Sequence, residues 1–187
     1  MSHLLSQSAT AKYKLYISVE NTELREKYQE SISQRIANNS TDSGFDLFIP
    51  EETYYKPGEY VMIDHKIKCK MVIVEWAGNE IPTGYLLHPR SSTAKKYNLM
   101  MANNTGVIDQ DYRGNIKACM FSNWTTQDLR TMFIGNGYTN VSIENKLMSD
   151  TRIVQICSPN YRPFKIVIVD ELDDTSRGEG GFGSTGN

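Results

Sequence analysis

The sequence of 187 residues predicts one mainly β domain. Short runs of β-branched, aromatic and alternating apolar residues recur along most of the chain. Turn-forming pairs such as Pro57-Gly58 and Gly78-Asn79 separate several of these runs. Many short strands at this spacing are typical of a β-sandwich or jelly roll. The sequence shows neither an internal repeat nor a second domain, so we expect a single domain over residues 1–187.

The strand-like runs occur in both halves of the chain. Residues 13–19 and 60–71 alternate between apolar and polar positions, which predicts strands with one buried face. Further β-branched or aromatic runs lie at residues 71–74, 85–87, 116–121, 153–157 and 164–169. We expect a strand at each of these places.

One segment near the start of the chain breaks the strand pattern. Its apolar residues recur every four positions among charged neighbours, at Leu24, Tyr28, Ile32 and Ile36. This spacing predicts an amphipathic helix within residues 20–40, which Asn38-Asn39-Ser40 would end. A helical turn is also expected at residues 129–133.

Composition limits the classes of protein that fit. Apolar residues make up 39% of the chain and charged residues 22%, as in ordinary globular proteins. The formal net charge of −2 offers no cationic excess for phosphate backbones, so we expect no nucleic-acid partner. The three cysteines, Cys69, Cys119 and Cys157, are scattered, and we expect reduced thiols without a disulfide or a metal cluster.

The sequence shows no targeting or membrane segment. Residues 1–11 are polar and lack the apolar run of a signal peptide. No segment approaches the roughly 18 consecutive apolar residues of a membrane span. We therefore expect an intracellular protein, cytoplasmic or nuclear, without a membrane partner, and a virus could equally encode it.

The most distinctive string runs from Gly106 to Asn115, with the sequence GVIDQDYRGN. Val107 and Ile108 would form a strand, the acidic residues a tight turn, and the strand would resume at Ile116. This β-hairpin would present a carboxylate and a tyrosine on a rigid support, beside free backbone groups. Taken alone, the string also fits an ordinary surface hairpin with solvated acids.

Four other strings accompany it in a fixed order. They are Ser43-Gly44-Phe45-Asp46-Leu47, Pro89-Arg90-Ser91-Ser92, Arg152-Ile153-Val154-Gln155, and a glycine-rich string from Arg177 to Gly186. With the hairpin in third place, the five strings resemble those of the trimeric dUTPases, which cleave dUTP to dUMP and pyrophosphate. The resemblance extends from about Asp42 to Gly186, and its third and fifth strings are the most specific.

This resemblance implies a dUTPase-like jelly roll of the β-clip kind, assembled as a homotrimer. Against the family pattern, the helix at residues 20–40 is an N-terminal elaboration and residues 124–150 are an insertion. Residues 176–187 would be a flexible glycine-rich lid that becomes ordered over dUTP. Each active site would take the first, second and fourth strings from one chain, the hairpin from the next, and the lid from the third.

The resemblance also implies roles around the nucleoside. The first acid of the third string holds the attacking water in the family, so Asp109 is the candidate catalytic base. Tyr112 would pack under the deoxyribose and leave no room for a 2′-hydroxyl, although a tyrosine in a strand is more often a packing aromatic. Uracil would be recognised by Asn103 and by the backbone of Gly106, Val107 and Ile108. Cytosine would leave buried donors and acceptors unpaired there.

The resemblance gives the binding of the phosphates to two further groups of residues. Arg90, Ser91 and Ser92 follow a strand and precede a predicted helix at residues 93–97, so phosphate binding and helix capping are both compatible with them. Gln155 would donate to phosphate oxygens, and Arg152 would brace the subunit interface or the region of Asp46. In the lid, Phe182 would cover the uracil ring. The γ-phosphate would be met by Arg177, Gly183, Ser184 and Thr185.

Mg²⁺ is the expected cofactor, bound through substrate phosphates and water rather than by a cluster of protein ligands. Asp46 would reach its water shell or else hydrogen-bond within its own turn. Two alternative functions stay open at this point. A dCTP deaminase shares the fold and an Arg-Ser-Ser string but needs a glutamate base, and a non-enzymatic regulator on this scaffold would be favoured by loss of Asp109 or of the lid.

Overall fold

The computed structural model describes residues 12–134 and 143–181, and in these ranges the protein is mainly β. The elements in chain order are β1 (Lys12–Val19), α1 (Thr22–Ala37), β2 (Gly44–Phe48), β3 (Thr53–Tyr55), β4 (Tyr60–Val74), β5 (Glu80–Thr83), β6 (Tyr85–Pro89), α2 (Thr93–Tyr97), β7 (Leu99–Met101), β8 (Gly106–Ile108), β9 (Asn115–Ser122), α3 (Thr126–Ile134), β10 (Asn145–Leu147), β11 (Arg152–Cys157) and β12 (Phe164–Val169). The predicted strands and helices all have counterparts in this order.

Two sheets contain most of the strands. The larger sheet has the order β12-β1-β4-β9-β7, with β5 paired to β4. The smaller sheet has the order β2-β11-β6-β8, and β3 pairs separately with β10. Within the described ranges, β1 and β12 run parallel, whereas the other pairs are antiparallel. The jelly-roll-like fold predicted from the sequence is confirmed.

The two sheets pack around one apolar core, because each presents its alternating apolar residues to the other. The larger sheet contributes fully buried residues such as Leu15, Ile67, Met71 and Ile116. The smaller sheet contributes Leu47, Leu87, Ile153 and Ile156. Since strand side chains alternate, the opposite face of the smaller sheet is left for polar residues. Asp46 of β2 and Gln155 of β11 are paired in register there.

Helix α1 packs on this core through the first part of its predicted stripe. The side chain of Asn21 caps the helix by accepting from the backbone N–H of Leu24 at 2.8 Å. Leu24 and Tyr28 are buried, and the Tyr28 hydroxyl accepts from the backbone N–H of Phe48 at 3.1 Å. The stripe ends earlier than predicted, because Ile36 is 71% exposed. Asn38 closes the helix, as predicted.

The predicted hairpin around Asp109 is wrong in its strand pairing. β8 pairs with β6 in the smaller sheet, whereas β9 pairs with β4 and β7 in the larger one. The connection 109–114 therefore crosses from one sheet to the other. Sequence alone did not show this, because a tight turn between two apolar runs has the same pattern in both cases.

Three smaller predictions can also be compared with the structure. Residues 60–71 and 71–74 form one continuous strand, β4, rather than two. The predicted turn at 129–133 is part of the longer α3, whose first turn is capped reciprocally by Thr125 and Asp128. The three cysteines are free, as predicted. No helix in the described ranges is long and apolar enough to span a membrane.

Candidate active site

A small cavity lies where β8 and the connection 109–114 meet the end of the described chain. Its volume is about 190 Å³. It is lined by Met101, Asn103, Gly106, Val107, Ile108, Asp109, Tyr112, Lys117, Cys119, Arg177 and Gly181. We call this cavity the nucleoside pocket, after the roles that the resemblance implies for its residues. Apart from Phe182, it brings together the residues to which the resemblance gave roles at the base, the sugar and the attacking water, and it is also lined by Arg177 from the glycine-rich string.

Tyr112 forms a fixed wall of the nucleoside pocket. It is only 9% exposed, and its hydroxyl donates to the backbone carbonyl of Asn115 at 2.8 Å. A Cβ on Gly114 would lie 2.6 Å from this hydroxyl, so glycine is needed beneath the ring. Burial raises the pKa of Tyr112, which keeps the phenol neutral and able to donate. The tyrosine can therefore act by shape but is poorly suited to act as a base.

Arg113 organises the connection that carries Asp109, and the sequence analysis did not single it out. Its guanidinium donates to the carbonyls of Gln110 at 2.7 Å and Tyr112 at 3.0 Å. It also donates to the carbonyl of Asp173 at 3.1 Å, and its backbone N–H donates to Gly178 O at 2.8 Å. With 7% exposure, Arg113 is a buried cation that ties the connection to the chain end. The sequence signal that could have identified Arg113 is its position directly after Asp111 and Tyr112.

The described part of the glycine-rich segment packs against the nucleoside pocket of its own chain. Arg177 forms an ion pair with Asp109, and its Nε donates to Gly180 O at 3.1 Å. A Cβ on Gly181 would lie 3.1 Å from the Tyr112 ring, so the segment passes close over that ring. Lys68 pairs with Glu179 at 2.7 Å. The predicted lid residues Phe182, Gly183, Ser184 and Thr185 lie outside the described residues.

A second pocket, of about 570 Å³, lies at the polar face of the smaller sheet. Its lining includes Asp46, Arg90, Ser91, Arg152 and Gln155. We call it the phosphate pocket, after the roles that the resemblance implies for Arg90, Ser91 and Gln155. Asp46 lies between two arginines, 2.8 Å from Arg90 Nε and 3.4 Å from Arg152 Nη1. Burial raises the pKa of Asp46, although both arginines act in the opposite direction. The expectation that Arg152 braces the region of Asp46 agrees with this geometry.

The loop that carries Arg90 is pinned to β11. The backbone N–H of Arg90 donates to Ile153 O at 2.8 Å, and the buried Thr93 hydroxyl donates to the same carbonyl at 2.6 Å. Ser92 is the N-cap residue of α2, but its side chain makes no capping hydrogen bond. Ser91 lines the phosphate pocket, whereas Ser92 lines neither pocket. The structure therefore gives Thr93, rather than the serines, the main structural role in this loop.

The two pockets have no lining residue in common. Asp109, Tyr112 and Arg177 line the first, whereas Arg90, Ser91 and Gln155 line the second. Within the parts of the chain that the structure describes, no group of three or more His, Cys, Asp or Glu side chains could hold a metal ion.

Comparison with known proteins gives a consistent result. A family model described as dUTPase matches residues 32–186. The chain is 39% identical over 134 residues to the deoxyuridine 5'-triphosphate nucleotidohydrolase of Escherichia phage T5, which covers 70% of this chain and 72% of that protein. The enzyme of the same name from Nautilia profundicola is 34% identical over 146 residues, covering 77% and 84%.

Among solved structures, the chain is similar to the dUTPase from Streptococcus mutans. The two are 26% identical, with 67% of this chain and 80% of that chain covered, and the TM-score is 0.44.

Proposed function

The chain belongs to the dUTPase family, and on this basis we propose that it hydrolyses dUTP to dUMP and pyrophosphate. This reaction would keep uracil out of DNA and supply dUMP for dTMP synthesis. The observation that carries the proposal is the nucleoside pocket, in which Asp109, Tyr112 and Asn103 line one small cavity. A carboxylate, a sugar-sized aromatic wall and an amide side chain are the groups that this reaction needs beside its nucleoside.

Asp109 is the proposed general base. Its carboxylate would accept a proton from the water that attacks the α-phosphorus, while the phosphates carry the developing charge. In the structure this carboxylate is paired with Arg177. Binding of a triphosphate offers Arg177 a more highly charged partner, the γ-phosphate in the site that its own lid covers. The proposal therefore includes an exchange in which Arg177 leaves the Asp109 of its chain free for the water.

Selection of the nucleoside would rest on shape and hydrogen bonding. The ring of Tyr112 is held in place over Gly114, so a 2′-hydroxyl on the sugar would clash with a side chain that cannot move aside. Asn103 and the backbone at residues 106–108 would pair with the uracil edge. A cytosine would leave donors facing donors, at a cost of roughly 1–3 kcal/mol for each unpaired group. The proposed roles of Phe182, Gly183, Ser184 and Thr185 in closing the lid belong to the same proposal.

The phosphate pocket would bind the triphosphate through Arg90, Ser91, Ser92 and Gln155. Mg²⁺ would enter with the nucleotide and supply further neutralisation of the phosphate charge. Asp46 already faces two arginines, and it is the acidic residue best placed to contact the hydration shell of such an ion. Its first role in this geometry is to orient the two guanidinium groups.

A homotrimer with active sites shared between subunits completes the proposal. Its support is that the two pockets of one chain share no lining residue, although a nucleotide must contact both kinds of group at once. Val107, at the mouth of the nucleoside pocket, is 72% exposed and is available to face another subunit. The first, second and fourth strings would come from one chain, the segment with Asp109 from the next, and the lid from the third.

The activity can be tested by supplying dUTP and dCTP side by side. Release of pyrophosphate from dUTP, without release of ammonia from dCTP, is the expected result. Release of ammonia would instead indicate a dCTP deaminase. Turnover of neither nucleotide, under conditions in which the protein is folded, would contradict both enzymatic functions and favour a regulator.

Assembly can be tested by mixing two impaired variants at a dUTP concentration too low for Gln155→Ala to bind it well. Asp109→Asn and Gln155→Ala lie in different pockets, so mixed oligomers should recover activity in about a quarter of their sites when chains are exchanged at random. A parallel mixture of Asp109→Asn with a chain lacking residues 177–187 shows whether the lid and the Asp109 of one site come from the same chain. Recovery in both mixtures means that they come from different chains, as the three-chain site requires. Recovery in the first alone means that the lid serves the Asp109 of its own chain, and an active monomer contradicts a shared site.

A further inference from the structure

Helix α1 forms one wall of the phosphate pocket. Its residues Ser31, Gln34 and Arg35, with the C-cap residue Asn38, line the pocket together with Arg90 and Gln155. The helix begins at Thr22, ahead of the family match that starts at residue 32. The last turns of the helix, with Gln34 and Arg35, fall within that match and lie beside the residues proposed to bind phosphate.

Arg35 is the residue of α1 that is most firmly held in this wall. Its side chain is only 14% exposed, and Nη1 donates to Gly44 O at 3.0 Å. Nη2 donates to Asp42 O, and the guanidinium lies 5.8 Å from the centre of the Phe164 ring. The planar fork of arginine suits such simultaneous contacts, whereas a lysine ammonium can replace only part of them. Arg35 thus fixes the backbone of residues 42–44 against the helix.

The fixed backbone lies directly under Gln155. A Cβ built on Gly44 would come within 1.9 Å of Gln155 Oε1, so the amide of Gln155 packs on the bare backbone of Gly44. Gln155 Nε2 is directed to Pro89 O at 3.4 Å, next to Arg90. Any shift of residues 42–44 therefore changes the surface on which the Gln155 side chain rests.

We propose that Arg35 is a positioning residue for phosphate binding: it holds residues 42–44 so that Gln155 is oriented into the phosphate pocket. The inference rests on the proposed function of that pocket. Arg35 does not need to touch the substrate, because its donors already bind the carbonyls of Asp42 and Gly44. It affects substrate binding indirectly, because it fixes Gly44, on which the Gln155 side chain packs. Helix α1 is thereby a part of the site rather than a surface addition.

The primary test compares Arg35→Ala and Arg35→Lys with a matched control on the same helix. The control is Arg25, which donates to the backbone carbonyl of Val169 and to the carboxylate of Asp170. Unlike Arg35, it does not line the phosphate pocket. We expect Arg35→Ala to raise KM for dUTP about tenfold with little change in kcat, equal to about 1.4 kcal/mol of binding. Arg35→Lys should be intermediate, and Arg25→Ala should match the wild type. Equal KM values for Arg35→Ala and Arg25→Ala would overturn the proposal.

A double variant tests whether the effect passes through Gln155. If it does, Arg35→Ala added to Gln155→Ala should raise KM no further than Gln155→Ala alone. Independent, additive effects would show that Arg35 acts by another route and would overturn the inference. Melting temperatures identify a variant that loses binding because it unfolds, and in that event Arg35→Lys carries the comparison.

Binding of inorganic tripolyphosphate, measured by calorimetry, separates this inference from the proposed function. It requires no hydrolysis, so it applies even if the wild type does not cleave dUTP. Weaker binding by Arg35→Ala than by Arg25→Ala is expected. Failure of the wild type to cleave dUTP, with tripolyphosphate binding still dependent on Arg35, would contradict only the enzymatic proposal. Equal tripolyphosphate binding by Arg35→Ala and Arg25→Ala, or no binding by the wild type, would overturn the positioning role.

Discussion

The nucleoside pocket and the phosphate pocket are built by different physical means. The first is a cavity of about 190 Å³ whose walls are a buried tyrosine, glycine backbone and strand edges. The second, of about 570 Å³, is lined by three arginines, two aspartates and several polar side chains. Shape is fixed in the first by close packing, as at Gly114 under Tyr112. Orientation is fixed in the second by ion pairs, as at Asp46 between Arg90 and Arg152.

This difference predicts different consequences of mutation in the two pockets. Changes in the nucleoside pocket should alter catalysis and discrimination, because they remove a base or a wall. Changes in the phosphate pocket should alter affinity, because several charged and polar groups share the binding of one polyanion. The expected effects on activity below run from the largest to the smallest, and an effect on stability follows them.

Asp109→Asn should give the largest effect. The amide can still hold a water but cannot accept its proton, so kcat should fall roughly 10²–10⁴-fold while dUTP binding persists. Steady-state kinetics and nucleotide binding on the same preparation would measure both. Asp111→Asn, two residues along the same connection, is the control and should stay near the wild type. Turnover of Asp109→Asn close to that of the wild type would remove Asp109 from the mechanism.

Deletion of residues 177–187 should come next. It removes Arg177 and the proposed lid but no strand, since β12 ends at Val169, so the melting temperature should change little. The value of kcat should fall roughly 10²-fold, because charge stabilisation and exclusion of water at the phosphates are lost. Glu179→Gln keeps the lid and removes only the pair with Lys68, so it serves as the control. An unchanged kcat in the truncated chain would show that this segment has no catalytic role.

Tyr112→Ala should relax the discrimination between dUTP and UTP by roughly tenfold, because the wall against the 2′-hydroxyl is gone. The ratio of kcat/KM for the two nucleotides measures this effect. Tyr112→Phe keeps the ring and loses only the hydroxyl contact with Asn115 O, so it should retain most of the discrimination. Equal losses of activity on both nucleotides in Tyr112→Ala would mean that the residue packs the fold and does not select the sugar.

The last expected effect is on stability rather than on activity. His65 is fully buried, and its Nδ1 donates at 2.9 Å to the carbonyl of Phe48, the last residue of the strand that carries Asp46. Burial lowers the pKa of His65 from 6.5 to about 4. As pH falls from about 6.5 to about 4, the unfolded chain binds a proton at this histidine that the folded chain does not bind. The free energy of unfolding therefore decreases by up to about 3 kcal/mol.

Urea unfolding of the wild type and of His65→Gln between pH 7 and pH 4 would measure this contribution. The wild type should lose more stability than the variant over the window, because glutamine does not titrate. A difference between the two that does not change with pH would assign the low-pH loss to other groups.

Much of the fold could be predicted because local patterns reflect burial. The alternation at residues 60–71 and the four-residue spacing of Leu24, Tyr28 and Ile32 record which side chains face the core. Ile36 continues the spacing but is 71% exposed. A repeat in the sequence shows what a helix could bury, whereas the partner surface determines how much of it is buried.

The partners of each strand could not be predicted in the same way. The pattern of residues 106–116 is equally compatible with a hairpin and with a crossing between sheets, since hydrogen-bond partners are distant in sequence. The contacts of Arg113 with Asp173 and Gly178, and of Arg177 with Asp109, join positions about 60 residues apart and leave no local signal.

The sequence by itself determined the mainly β class, helix α1 and the identity of the five strings, because these depend on residue type and short-range spacing. It also pointed to Asp109, Tyr112 and Gln155 through the order of those strings. Only the tertiary structure divided these residues between two pockets and placed Arg35 behind Gly44 and Gln155. Pockets and supporting contacts are formed by chain segments that meet only after folding, so their composition is a property of the packed molecule.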